Sequence, residues 1–282
     1  MAEILNGKEV AKKVKEEVAR EVEKLKQEGI NPKLSVIMVG NDSASAVYVK
    51  NKSNACKKTG IEFEEYLLPE ETEESELFEL IEKLNNDDSV HGILLQSPIP
   101  KHIDIEKAFN LISPEKDVDG FNAINVGNLT IGRDCFVSCT PYGVMRLLKE
   151  YNIDVEGKRA VVIGRSNIVG KPMLQCLLAK NATVTICHSK TVDTEAITRE
   201  ADILVSAVGK PNFVTADMVK DGAVVIDVGI NRMHDGKLLG DVKFDEVEPK
   251  ASFITPVPGG VGPMTIAMLV ENVVKAAKNS KK

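Results

Sequence analysis

The chain has 282 residues, room for two domains or one large barrel, and 43% hydrophobic with 28% charged residues is a globular balance, not a disordered one. A net charge of -6 excludes general nucleic-acid binding, which needs a basic face to displace counterions, so an anionic ligand has to be held by local groups. No signal peptide is visible and no apolar run approaches the roughly 20 residues of a bilayer span, which predicts a soluble, cytoplasmic protein with no membrane partner.

Val10, Val14, Val18, Val22 and Leu25 recur at helical spacing and predict a helix that Gly29 ends. Asn31-Pro32 breaks the chain before the apolar run Leu34 to Val39, a buried strand. Asp42 or Ser43 can cap a second helix that runs to Gly60. Ile61 to Leu68 reads as a strand, Glu73 to Leu84 as a helix, and His91 to Gln96 as a short strand before the rigid turn Ser97-Pro98-Ile99-Pro100. This alternation predicts a parallel sheet covered by helices. Asp117 to Cys139 reads as irregular, after which Thr140 is expected to cap a helix with Pro141 at its first position. Strands then appear at Arg159 to Ile163, Thr183 to Cys187, Ile203 to Val208 and Ala223 to Val228, with short helices between them. That is the pattern of a doubly wound dinucleotide fold. The amphipathic segment Met264 to Lys278 is expected to pack back on the first domain. The predicted class is α/β. Residues 1–139, joined by the C-terminal helix 264–282, form a catalytic parallel-sheet domain, and residues 140–263 form a Rossmann-like domain.

The stretch Gly164-Arg165-Ser166-Asn167-Ile168-Val169-Gly170-Lys171-Pro172 lies between a buried strand and a helix. Glycine lets the backbone approach a pyrophosphate, and a helix N-terminus offers free N–H groups to its charge. The G-x5-G spacing is not G-x-G-x-x-G, so a strand-to-helix turn without a ligand is the alternative. At the end of the next strand, where NAD sites place a carboxylate, stands Cys187-His188-Ser189-Lys190. With Arg165 in the first loop, a 2′-phosphate would meet cation and hydroxyl, which favours NADP. Pro258-Gly259-Gly260-Val261-Gly262-Pro263-Met264-Thr265 is rigid and lacks bulk. It suits close approach by a nicotinamide, or serves as a turn connecting domains.

Ser45, Tyr48 and Lys52 fall at i, i+3 and i+7 and share a helix face. A lysine can shuttle a proton if its pKa is lowered; the bland alternative is a solvated face shared with Lys50, Lys57 and Lys58. Gln96 ends a strand, where open α/β sheets bind ligands. Asp117 and Asp119 sit in one loop, where carboxylates more often cap and form turns than bind metal. Five cysteines without a CxxC pair are expected to be reduced thiols, Cys135 and Cys139 included with no role assigned. Four histidines with no cysteine pair nearby argue against zinc, and no metal is expected.

Five separated motifs agree with one family. Val39-Gly40-Asn41-Asp42-Ser43-Ala44-Ser45 with Tyr48-Val49 and Lys52, Leu95 to Pro100, Lys116 to Phe121, Gly164 to Pro172 and Pro258 to Thr265 resemble, in order, the bifunctional methylenetetrahydrofolate dehydrogenase/methenyltetrahydrofolate cyclohydrolase family. Ser97 departs from the leucine of many relatives. The resemblance implies NADP-dependent oxidation of 5,10-methylenetetrahydrofolate and hydrolysis of the product to 10-formyltetrahydrofolate, in one-carbon metabolism that serves purine, methionine and histidine biosynthesis. It also implies a homodimer and a folate cleft between the domains. Lys52 would be the central catalytic lysine, Tyr48 would stack on or orient the folate, Gln96 would tune Lys52, and Asp119 would bind the pterin. Ser45, Pro258 and Gly259 complete the implied folate set. NADP would be held by Gly164, Arg165, Ser166, Ile168, His188, Ser189, Ile230, Gly262 and Thr265. A dehydrogenase of shikimate or amino-acid type would use the Gly164 loop equally well, but gives no reason for the Ser45, Tyr48, Lys52 and Gln96 set. A folate- or nucleotide-binding protein without turnover gives none for Lys52.

Overall fold

The valine stripe forms α1 (Gly7–Gln27), preceded by the two-residue strand β1 (Glu3–Ile4). Val10, Val14, Val18, Val22 and Leu25 are all buried, as an apolar helix stripe requires. Gly29, at φ 83°, closes the helix while the Ile30 N–H reaches the Leu25 carbonyl at 2.9 Å. The computed structural model describes residues 1–233 and 235–281 and divides the chain into two units. One holds residues 12–139 with the chain from Ile266 onward; the other holds Met1–Ala11 with Thr140–Thr265.

In the first unit β2 (Lys33–Val39), α2 (Ser43–Thr59), β3 (Glu62–Leu68), α3 (Glu74–Asn85) and β4 (Gly92–Gln96) alternate. The three strands form a parallel sheet in the order β3-β2-β4. β2 is central and buried from Leu34 to Val39, so its apolar run is continuous instead of alternating. Ile37, Val39, Ile93 and Leu95 face α3 through Leu77, Ile81 and Leu84 in one core. Asp42, not Ser43, caps α2: its carboxylate accepts from the Ser45 N–H at 2.7 Å, and Gly60 ends the helix in the left-handed region.

Two short helices of this unit were not foreseen. Asp104 caps α4 (Ile105–Leu111), and Asn122 caps α5 (Ala123–Thr130) inside the stretch read as irregular. α5 escapes a periodicity reading because its apolar positions do not make a buried stripe: Ile124 is 58% exposed.

The second unit contains α6 (Cys139–Glu150), β5 (Arg159–Ile163), α7 (Gly170–Leu178), β6 (Thr183–Cys187), α8 (Thr194–Thr198), β7 (Ile203–Ser206) and β8 (Val224–Asp227). After them come the short pair β9 (Asn231–Arg232) and β10 (Leu238–Leu239), α9 (Phe244–Val247), β11 (Phe253–Ile254) and α10 (Val261–Asn279). Its main sheet is parallel, with order β1-β11-β8-β7-β5-β6. The expected domain of residues 1–139 is therefore corrected at its start. β1 pairs with β11, Glu3 opposite Phe253 and Ile4 opposite Ile254, which satisfies backbone groups that a two-residue strand cannot pair by itself. Thr140 lies inside α6 instead of capping it, and its hydroxyl meets that of Thr265 at 2.9 Å.

From Ile266 onward α10 packs on the first unit. Buried Asn272 donates to the carbonyls of Val118 (2.8 Å) and Val137 (3.2 Å), and Lys278 pairs with Glu21 at 2.7 Å. Among the described residues no helix is long and apolar enough to cross a membrane.

Candidate active site

Lys52 sits two turns into α2, and Gln96 ends β4. The lysine Nζ donates to Gln96 Oε1 at 2.9 Å. Gln96 Nε2 in turn donates to the Ser97 carbonyl at 2.7 Å, and buried Ser45 reaches the same carbonyl at 3.4 Å. That carbonyl orients the amide, because an acceptor beside Nε2 leaves Oε1 turned toward the lysine. Of the lysines on α2, Lys50, Lys57 and Lys58 are exposed while Lys52 is partly shielded. The solvated-face alternative thus describes three of the four. Tyr48 is 41% exposed, its ring open to a stacking partner.

Asp119 is the charge that faces this amine. Burial pushes the Lys52 pKa down, opposed chiefly by the Asp119 charge. Burial pushes Asp119 up, opposed by Lys52 and by a hydrogen bond with Cys139. Both shifts favour the neutral forms. Burial holds Cys139 well above the ordinary thiol range, and Cys56 is pushed up to about 12, so both remain thiols. Asp117, two residues away, does the bland work foreseen for a loop carboxylate. It accepts the N–H groups of Gly120, Phe121 and Asn122 and the Asn125 amide, which shapes the loop that presents Asp119. Cys139, assigned no role from sequence, and Asn272 were the contributors missed here; no spacing links either to Asp119.

The residues expected to hold NADP lie in the other unit. Ile163 and Cys187 are paired at the ends of β5 and β6, and the Gly164 N–H donates to the Cys187 carbonyl at 2.8 Å. Exposed Arg165 and the His188-Ser189-Lys190 segment therefore leave neighbouring strand ends, with no carboxylate among them. Thr191 closes that segment into a turn, its hydroxyl accepting the His188 N–H at 2.8 Å. Gly164 is required: its φ is 119°, and a Cβ would lie 2.3 Å from the Ala207 carbonyl oxygen. Gly164→Ala is expected to cost about 1–3 kcal/mol of backbone strain, read as a lower unfolding midpoint together with weaker NADP binding.

One expectation needs correction. The first N–H groups of α7 are not free for a phosphate. Ser166 Oγ accepts those of Val169 (3.1 Å) and Gly170 (3.3 Å), and the Ser166 carbonyl accepts that of Lys171 (3.0 Å). A hydroxyl that accepts twice still has its own proton, so Ser166 offers a phosphate oxygen a donor held in place. Ile168 (45% exposed) and Ile230 (44%) provide open apolar surface, and a Cβ on Gly262 would lie 3.3 Å from Ile230 Cδ1. The glycine cradle, the fixed hydroxyl and the cation at a strand end without a carboxylate fit a dinucleotide with a 2′-phosphate.

Pro258 and Gly259, expected on the folate side, belong to this second unit and not to the unit of Lys52. Their loop is shaped by its own neighbours: the Gly259 carbonyl accepts the Lys8 N–H at 3.1 Å, and a Cβ on Gly260 would lie 2.7 Å from the Pro256 carbonyl oxygen. The sequence reading also overlooked two buried carboxylates, Asp227 at the end of β8 and Asp241 two residues past β10. Burial, with the Asp241 charge adding, pushes Asp227 up to about 6 against three backbone N–H donors.

Residues 5–119 match the family model of the tetrahydrofolate dehydrogenase/cyclohydrolase catalytic domain, and residues 138–281 match that of its NAD(P)-binding domain. The bifunctional protein FolD of Moorella thermoacetica is 59% identical over 277 residues, 98% of this chain and 99% of its own. The crystal structure of the bifunctional enzyme FolD from Campylobacter jejuni, a methylenetetrahydrofolate dehydrogenase/cyclohydrolase, is similar with a TM-score of 0.98 at 54% identity, over 99% of both chains. The Trypanosoma brucei methylenetetrahydrofolate dehydrogenase-cyclohydrolase, solved with NADP cofactor and inhibitor, gives 0.95 at 39% identity, over 100% of this chain and 99% of its own. A shikimate 5-dehydrogenase of Thermus thermophilus, at 16% identity and a TM-score of 0.54 over 88% of this chain and 99% of its own, shares the fold alone. The chain belongs to the tetrahydrofolate dehydrogenase/cyclohydrolase family.

Proposed function

We propose that Lys52 moves the protons in a two-step conversion carried out by this bifunctional dehydrogenase and cyclohydrolase. The enzyme oxidises 5,10-methylenetetrahydrofolate to the 5,10-methenyl form with NADP and hydrolyses that product to 10-formyltetrahydrofolate. NADP, when bound, supplies the hydride acceptor; Gly164, Arg165, Ser166, Ile168, His188, Ser189, Ile230, Gly262 and Thr265 are the residues proposed to hold it. The protein's part in the hydride step is alignment. Hydrolysis needs more. Water adds to the methenyl carbon and gives up a proton to the neutral Lys52 amine. The ammonium then protonates N5 as the carbon–N5 bond breaks, the formyl group forms, and the remaining hydroxyl proton leaves to solvent. Gln96 holds the amine in place, Asp119 takes a pterin hydrogen bond, and Tyr48 stacks on the folate, with Ser45, Pro258 and Gly259 completing its binding set.

The observation that carries this reading is an amine with a lowered pKa, 2.9 Å from an oriented amide oxygen and facing the half-buried carboxylate of Asp119. The test follows NADPH formation with methylenetetrahydrofolate, then decay of the methenyl absorbance. Absence of either signal rejects it. Because the working form is the neutral amine, hydrolysis is expected to rise with pH, along a limb that lies below the ordinary lysine range. Gln96→Glu places a carboxylate against Nζ and stabilises the ammonium. Its limb is expected to move about 1–3 pH units higher, and an unmoved limb would detach Gln96 from the tuning of Lys52.

A homodimer, a cytoplasmic location and supply of one-carbon units to purine, methionine and histidine biosynthesis belong to the same proposal. Sedimentation at working concentration tests the dimer.

A further inference from the structure

We propose that Asp241 is a positioning residue for the cofactor face, a single carboxylate that ties the loop beside Gly164 to the loop bearing Ile230. This rests on the reading that Gly164 and Ile230 hold NADP. Asp241 is fully buried and accepts five hydrogen bonds. Oδ2 takes the N–H groups of Val208 (2.7 Å) and Gly209 (3.2 Å) and the Ser206 hydroxyl (3.3 Å). Oδ1 takes the Lys210 N–H (3.0 Å) and the Asn231 side-chain amide (3.1 Å).

None of these donors is a charged group. Burying a carboxylate without a cation is costly, and an apolar side chain would pack the same space more cheaply. What the carboxylate does that an apolar group cannot is gather donors from two separate loops. Val208 follows Ala207, whose carbonyl forms the close wall of Gly164, and Asn231 follows Ile230. Residues 208–210 turn three successive N–H groups inward, and Asp241 satisfies all of them.

Two glycines make the arrangement possible. A Cβ on Gly229 would lie 2.2 Å from Asp241 Oδ1, and one on Gly240 would lie 1.8 Å from Asp227 Oδ2. Asp227 accepts the Asp241 N–H (2.9 Å), the Val242 N–H (2.8 Å) and the Gly229 N–H (2.9 Å), which fixes the backbone that carries Asp241. The motif Asp227-Val228-Gly229 and the pair Gly240-Asp241 thus interlock.

Asp241→Asn keeps the shape but turns an NH2 toward one set of donors, so one of the two loops loses its anchor. The KM for NADP is expected to rise about tenfold, the size of one charge-assisted hydrogen bond, with dehydrogenase kcat at saturating NADP within about threefold. Hydrolysis of methenyltetrahydrofolate, which consumes no NADP, is expected to be unchanged. Asn231→Ala removes only the anchor of the Ile230 loop and is expected to raise the same KM by about threefold; it decides the matter if Asp241→Asn does not fold. An unaltered KM for NADP, or oxidation and hydrolysis falling together, overturns the inference. NADP titration of Arg165→Ala in parallel separates the two readings. Wild-type affinity in that variant removes the cofactor site itself, whereas weakened affinity there with none in Asp241→Asn or Asn231→Ala removes this inference alone.

Discussion

Lys52→Met is expected to lower cyclohydrolase turnover by about 10²–10⁴-fold, the contribution of a positioned proton-transfer group, while folate binding survives. Methionine keeps the unbranched reach of the lysine but neither accepts nor donates the proton that hydrolysis must move. The loss should fall on kcat for methenyl hydrolysis and not on KM, because the amine is needed as charge and protons are redistributed. Removing the amine also removes the group that opposes burial at Asp119, so that carboxyl is expected to protonate more readily. NADP binding, assigned to residues of the other unit, serves as the internal control. A variant that hydrolyses the methenyl cation at the wild-type rate would refute the role given to Lys52.

Arg165→Ala is expected to raise the KM for NADP by about 10–100-fold and that for NAD by much less. The two cofactors differ only in the 2′-phosphate, and a charge-assisted hydrogen bond to it contributes about 1.5–3 kcal/mol. Arg165 is exposed at the end of β5, beside a β6 end that offers His188, Ser189 and Lys190 and no carboxylate. Nothing there repels the phosphate, and nothing there pairs with the ribose hydroxyls as an NAD site would. An equal loss for both cofactors would place Arg165 on the shared pyrophosphate or in the fold, not on the 2′-phosphate. The selectivity ratio is therefore the informative quantity, not either KM alone.

The parts of this protein that follow from local pattern were determined by sequence alone. The α1 stripe, the continuous run of β2, the end of α2 at Gly60 and the strand–glycine–helix unit at Gly164 each depend on residues within a few turns of one another, where spacing fixes which face is apolar. The candidate residue types were legible for the same reason, since Ser45, Tyr48 and Lys52 share a helical face by arithmetic. Tertiary structure decided the rest. Four lysines lie along α2, and only Lys52 is packed against Gln96, where burial lowers its pKa against the opposing charge of Asp119; desolvation belongs to a place in the fold and not to a residue type. Asp117 and Asp119 look equivalent in the chain, yet one is consumed by loop N–H groups and the other faces an amine. β1 finds its partner about 250 positions away at β11, and Asp241 collects donors from two loops that no periodicity joins. Contacts between distant segments are set by what each buried polar group must find to satisfy it, a condition that exists only once the chain has closed around it.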